Sequence, residues 1–251
     1  MKINVQHKNA SYEVDLGLPL DISIPLVGGE DNVNAYYIDN PVYEVFAAGG
    51  FVGSVAQGGA CNCENIHFNP HGNGTHTECV GHVSAERISI NSCLKQFHHF
   101  AKLITVEPYE LDNGDEIIRT EDLPSSVFDD HTNALIIRSF PNKEDKLNAN
   151  YSGSNPVYLD PDLCLTLRNA GIEHLLVDFP SVDKEDDGGL LLAHKNFWNY
   201  PEQPRMSATI TEMVYVPNSI PDGLYLLNIQ IASFESDASP SKPTLYILRQ
   251  N

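Results

Sequence analysis

Three short runs in the middle of the chain are apolar on consecutive rather than alternate positions. They are Lys102-Leu103-Ile104-Thr105-Val106, Ala134-Leu135-Ile136-Ile137-Arg138 and His174-Leu175-Leu176-Val177-Asp178. Aliphatic and β-branched runs of this length predict central strands of a sheet covered on both faces. Between the last two runs the period changes to that of a helix. Asp160 can cap it, Pro161 suits its first turn, Leu163, Cys164, Leu167 and Ala170 form one stripe, and Gly171 ends it. Strand, helix, strand in this order predicts a βαβ unit. Asp21-Ile22-Ser23-Ile24-Pro25-Leu26 alternates polar and apolar, as a half-buried strand does, and 224–231 and 244–248 read as further strands. Residues 28–60 carry many Gly, Asn, Tyr and Pro residues and predict loop with short extended pieces. The stretch from Glu107 to Asp122 holds seven carboxylates and one Arg, the composition of a solvated loop and helix start. No repeat, linker or composition break divides the chain. The expectation is therefore one α/β domain over residues 1–251, with an excess of β.

Composition narrows the possible partners. The 251 residues include 34 acidic and 15 basic ones, for a net charge of -19. A nucleic-acid partner needs a basic face and is excluded on this count. The 41% hydrophobic content is too high for a disordered acidic tail, and no run reaches the ~20 apolar residues that span a bilayer, so no membrane association is expected. Met1 to Lys8 contains no apolar leader segment, and five cysteines are an odd number, which together predict a cytoplasmic protein with free thiols. Cys61-Asn62-Cys63 has the look of half a metal site, but no second pair follows at zinc-finger spacing.

Histidine is distributed unevenly. His67, His71, His76, His82, His98 and His99 place six of the ten within 33 residues, where an even spread would give roughly 1.3. The centre of the cluster is His71-Gly72-Asn73-Gly74-Thr75-His76-Thr77-Glu78-Cys79-Val80-Gly81-His82. On an extended backbone residues i and i+2 point to the same side, so His76 and Glu78 can converge on one cation. Imidazole with carboxylate suits zinc or manganese, and the glycines let the backbone turn sharply around them. His71 and His82, on either side, can supply another ligand or a proton-transfer group. A surface loop whose histidines bond backbone and water accounts for the same composition. Ser181 and Asp183 invite a serine-hydrolase reading, but there is no G-x-S-x-G elbow.

This segment resembles the metal-dependent cyclase family, which includes bacterial kynurenine formamidases and isatin hydrolases and carries H-x-G-T-H-x-D-x-P-x-H. Counted from the shared Gly74-Thr75-His76, the chain has Glu78 at the aspartate and His82 at the last histidine. Asp21 to Leu26 is similar to the family's opening D-L-[ST]-x-x-[LM] strand. Val177-Asp178-Phe179-Pro180-Ser181-Val182-Asp183, followed by Ala193-His194, is similar to its G-x-D-x-x-S-x-D segment and later histidine, and Glu212 falls at its downstream glutamate. The resemblance runs from about residue 18 to the C-terminus. It implies a cyclase-like swivelling β/β/α domain with a mixed, β-rich core, and a homodimer or homotetramer. It further implies a divalent ion, zinc or manganese, held by His76, Glu78 and His71, with His194 and Glu212 completing or bordering the site. The implied activity is arylformamidase-like: hydrolysis of a small amide, formamide or cyclic amide by a metal-activated water, with His82 as general acid/base. A protein that keeps the fold and binds a metal or small ligand without catalysis is the alternative. Three positions depart from the pattern. The family's first histidine falls on Gly72, with His71 one residue early; Glu78 is one methylene longer than Asp; and Val80 replaces Pro. A one-residue bulge would return His71 to the metal. Phe179, Trp198, Tyr200 and Tyr43 are candidates either to pack an aromatic substrate or to serve as core and interface residues.

Overall fold

The computed structural model describes residues 1–129 and 132–251. Its strands, in chain order, are β1 (Lys2–His7), β2 (Ala10–Asp15), β3 (Leu20–Asp21), β4 (Val42–Val45), β5 (Glu64–His67), β6 (His76–Cys79), β7 (His98–Val106), β8 (Ala134–Ser139), β9 (His174–Val177), β10 (Thr209–Glu212), β11 (Gly223–Asn228), β12 (Ala238–Pro240) and β13 (Thr244–Ile247). Six further strand pieces of two or three residues occur among the described residues. Two helices matter to the site, α1 (Pro161–Asn169) and α2 (Leu192–Trp198).

The three aliphatic runs are the centre of a nine-stranded sheet of order β12-β6-β10-β9-β8-β7-β11-β13-β3. β7, β8, β9 and β10 are parallel, while the strands outside them pair antiparallel. Successive residues of β8 go to opposite sides. Leu135 and Ile137 join Leu163, Leu167, Phe197 and Trp198 beneath the two helices, whereas Ala134 and Ile136 join Ile22, Val214, Leu227 and Leu245 on the other face. Both faces are covered, which is why these strands are apolar at every position. The predicted βαβ unit is β8-α1-β9, with β8 and β9 paired in parallel. Asp160 caps α1 by accepting from the Asp162 N–H, and Gly171 follows its end at φ 85°.

The alternating segment at 21–26 keeps its pattern of burial but contributes only β3 and a single bridge at Ser23 to the sheet. The acidic stretch is more than a solvated loop. It pairs two short strands, 109–110 with 116–118, and buries Asp115, whose carboxylate accepts from Lys184 at 2.6 Å and from Asn155 at 2.9 Å. Within 28–60 the extended piece β4 pairs with β5 to form an arm. Val42, Tyr43, Val45, Phe46, Phe51 and Ile66 are exposed along it. No helix among the described residues is long and apolar enough to cross a membrane.

Candidate metal centre

The segment singled out for its histidines becomes β6 and the turns that flank it. β6 lies between β10 and β12, so all four of its residues are buried. The two-residue strand period turns His76 and Glu78 to one face, and the register sets Glu212 of β10 directly opposite His76. His82 arrives from the 3-10 turn Val80–His82, which follows the strand immediately. His194 comes from α2, and His71 from the loop before β6.

All six predicted site residues therefore meet. His194 Nε2 lies 3.1 Å from Glu78 Oε1 and 3.6 Å from Glu212 Oε1. His71 Nδ1 lies 3.2 Å and His82 Nδ1 3.7 Å from Glu78 Oε2, and His76 Nε2 lies 3.4 Å from Glu212 Oε2. The one-residue displacement of His71 is absorbed by the loop. A side chain at Gly72 would be crowded, because a Cβ there would lie 2.5 Å from Ile38 Cδ1 and 3.0 Å from the Ala35 carbonyl. The imidazole is carried by the preceding residue instead.

Each histidine is held from outside by one nitrogen. His76 Nδ1 donates to the Gly74 carbonyl at 3.0 Å, and His194 Nδ1 donates to Asp183 Oδ2 at 2.6 Å. His71 Nε2 and His82 Nδ1 both meet Asp237 Oδ2, at 2.9 and 3.3 Å. Asp183 also accepts the backbone N–H groups of Ala193 and His194, so one carboxylate anchors both the start of α2 and the His194 ring. Outer partners of this kind fix the tautomer and leave the other nitrogen available as a ligand or base.

Glu78, fully buried, and Glu212, nearly so, form no ion pair with Lys or Arg among the described residues. Burial works to raise the Glu78 carboxyl, but the His82 charge, the His194 hydrogen bond and the adjacent His71 ring carry it well below the usual range. For Glu212, burial and the Glu78 charge push upward, and His194 and His76 bring the net result below normal. Burial disfavours a charged His194, yet Asp183, Glu212 and Glu78 raise it well above an ordinary imidazole. For His71 burial is likewise overcome, by Asp237 and Glu78, and the ring is raised to about 10. The cluster is thus anionic at its carboxylates and retains protons on His71 and His194, which a divalent cation can replace. Two buried atoms, His76 Nε2 and Glu78 Oε2, have no hydrogen-bond partner. Together with a nitrogen of His71 they form a three-residue set whose ligand atoms lie within 4.8 Å of one another, and Glu78, His82 and His194 form another. The mixed nitrogen and oxygen donors and the two orphaned atoms fit a divalent ion.

A cavity of about 260 Å³ opens on this cluster, lined chiefly by Tyr36, His71, His82, Lys184, Leu191 and His194. Tyr36 and Leu191 sit at φ 59° and 49°, and Met213, after Glu212, at 53°. Strained backbone of this kind collects at functional sites. Burial first, and the Glu212 charge second, push the Tyr36 hydroxyl well above the usual phenol range, so it remains protonated.

Other sequence candidates lie elsewhere. Phe179 and Trp198 are fully buried in the core, Tyr200 packs against it, and Tyr43 is on the arm. His67 and His98 are exposed, and His99 is buried against His174 with ring centroids 3.8 Å apart. Cys61 and Cys63 are free and exposed, and neither belongs to a metal-ligand group among the described residues. His194 Nε2 faces Glu78, and the Ser181 hydroxyl accepts the Asp183 N–H, so no serine triad is assembled. Asp183 was legible in the sequence as part of a motif. Asp237 and Tyr36 carried no sequence signal, since Asp237 reaches its partners across 166 and 155 residues.

Comparison with known proteins bears on the family and the fold. A family model described as "Putative cyclase" matches residues 14–184. No curated protein matches the chain by sequence. Among solved structures, a potential metal-dependent hydrolase with cyclase activity superposes at TM-score 0.64 and 14% identity, covering 91% of this chain and 97% of its own. A predicted metal-dependent hydrolase from Bacillus stearothermophilus gives 0.60 and 16%, with coverage of 91% and 98%. Isatin hydrolase A from Labrenzia aggregata, bound to benzyl benzoate, gives 0.64 and 11%, with coverage of 92% and 93%. At these identities the likeness is one of fold.

Proposed function

The chain belongs to the cyclase family, and from that premise we propose that it is a metal-dependent hydrolase of a small amide, formamide or cyclic amide. The observation that carries this reading is the pair of buried ligand atoms without a hydrogen bond, His76 Nε2 and Glu78 Oε2, behind a cavity lined by the neighbouring His71, His82, His194 and Glu212. His71, His76 and Glu78 would hold a divalent ion, zinc or manganese, with His194 and Glu212 completing or bordering the site. Such an ion supplies Lewis acidity, lowering the pKa of water and polarising a carbonyl.

His82 is the general acid/base. With Nδ1 directed at Asp237, Nε2 is the ring nitrogen left to exchange a proton with substrate and water. Nε2 takes the proton from the attacking water and returns it to the departing nitrogen, a task suited to imidazole. The cavity supports a compact, polar substrate, because Leu191 is the one aliphatic side chain among its lining residues and the aromatic candidates lie outside it.

The test begins with metal analysis of protein purified without chelator, where at least one divalent ion per chain is expected. Manganese- or zinc-loaded protein should then turn over members of a panel of formamides and cyclic imides, and His82→Ala should keep the ion and lose turnover. A protein that binds no ion overturns the reading. One that binds an ion but is inert across the panel is a binding protein instead.

A further inference from the structure

Asp237 sits at the end of the loop leading into β12, far along the chain from the histidine cluster, yet it meets two of the cluster's rings. We propose that Asp237 is the positioning residue of this centre. Its single oxygen Oδ2 holds His71 and His82 at once, so that the out-of-register His71 becomes a usable ligand while His82 is kept in the tautomer that accepts a proton. This deepens the metal-dependent reading above and rests on it.

The geometry is specific. Oδ2 lies 2.9 Å from His71 Nε2 and 3.3 Å from His82 Nδ1, and the two rings lie against one another with centroids 4.5 Å apart. The other oxygen, Oδ1, accepts from the Ser236 hydroxyl at 3.0 Å, which sets the orientation of the carboxylate. The backbone is equally fixed. The Asp237 carbonyl accepts the Cys79 N–H at 3.0 Å, and the next residue, Ala238, is paired with Glu78. The approach depends on Gly81, where a Cβ would lie 3.2 Å from Asp237 Cβ and 2.1 Å from the Ile88 carbonyl oxygen.

A carboxylate can only accept, so each ring must present a proton to it. His71 then carries a proton on Nε2, and an ion bound at the site would replace the proton on Nδ1, the atom 3.2 Å from Glu78 Oε2. His82 carries its proton on Nδ1 and keeps Nε2 for chemistry. His76 and His194 have their own anchors in the Gly74 carbonyl and Asp183, and they do not depend on Asp237. Gly72 leaves the family's first histidine position without a side chain in a crowded spot, and Asp237 is the group that makes the neighbouring His71 serve in its place.

The test is zinc binding by wild type, Asp237→Ala and Asp237→Glu, with side-chain ¹⁵N–¹H spectra of the zinc-loaded proteins. Asp237→Ala should weaken zinc binding by about 10- to 100-fold at unchanged stoichiometry, as loss of an outer carboxylate does. Its spectrum should lose the hydrogen-bonded Nε2–H of His71 and Nδ1–H of His82, while the Nδ1–H signals of His76 and His194 persist. Asp237→Glu should recover part of the affinity and both signals. Unchanged affinity and signals in Asp237→Ala overturn the proposal. Loss of one whole equivalent of zinc also overturns it, because Asp237 would then be a ligand in its own right. If wild type binds no zinc or manganese, the functional reading fails first; if wild type binds and Asp237→Ala is indistinguishable from it, this proposal fails alone.

Discussion

Restoring the family's first histidine should damage this protein. Gly72→His would bring the chain into register with the H-x-G-T-H pattern, and a sequence argument alone would expect tighter metal binding. The structure gives the opposite sign. A Cβ at residue 72 would meet Ile38 Cδ1 at 2.5 Å, Ile38 Cβ at 3.2 Å and the Ala35 carbonyl oxygen at 3.0 Å. The first contact is with the end of a side chain that can rotate. The other two belong to atoms that move only with the backbone, and the Gly72 carbonyl itself accepts the Ala35 N–H at 2.9 Å. Overpacking of this kind costs about 1–3 kcal/mol, which for a chain of this size lowers Tm by roughly 2–12 °C. Gly72→Ala isolates the Cβ, and Gly72→His adds the imidazole. Both should be measured by thermal and urea unfolding of chelator-treated protein, followed by zinc titration. Combining Gly72→Ala with Ile38→Ala should recover part of the loss, because the two sites share a contact. A Gly72→His protein as stable as wild type that binds zinc more tightly would refute the argument and make residue 72 a ligand position.

Two further outcomes are expected. Asp183→Asn exchanges an acceptor-only carboxylate for an amide facing three N–H donors, from the His194 ring and two backbone groups. Zinc affinity should fall by about 10- to 100-fold and stability by about 1–3 kcal/mol, both read by titration and urea unfolding; unchanged affinity would remove Asp183 from the site's support. His174 is lowered to about 3, first by burial and then by His99. Its folded value lies below its unfolded one, so the stability it contributes is present above about pH 6.5 and declines toward pH 3 at about 1.4 kcal/mol per unit. Between pH 7.5 and pH 5, wild type should lose about 2 kcal/mol more than His174→Gln by urea unfolding, and equal losses would sink this assignment.

Local pattern carried much of the fold and of the metal cluster. The three aliphatic runs and the capped helix form as their periodicity requires, because burial on both faces leaves no other arrangement for them. His76 and Glu78 were legible because a strand fixes the direction of residues two apart. The remaining features depend on tertiary placement. Asp115 became buried because Lys184 and Asn155 reach it from other segments, which no count of charges within 107–122 reveals. The segment 21–26 alternates correctly, but hydrogen-bond pairing is limited to its start by what lies beside it. Asp237 lies in an ordinary serine- and acid-containing loop whose importance arises only when β12 pairs with β6.

That pairing also sets an order of events during synthesis. β6 emerges early and carries His76 and Glu78, but its two neighbours in the sheet, β10 and β12, are residues 209–212 and 238–240. A growing chain holds the first donor atoms long before it holds Glu212, Asp237 or the backbone groups that make β6 an interior strand. Closing such long loops is paid in chain entropy before any coordination can repay it. His71, His76 and Glu78 are available early, but Glu212 and Asp237 join them only after residues 212 and 237 have been added.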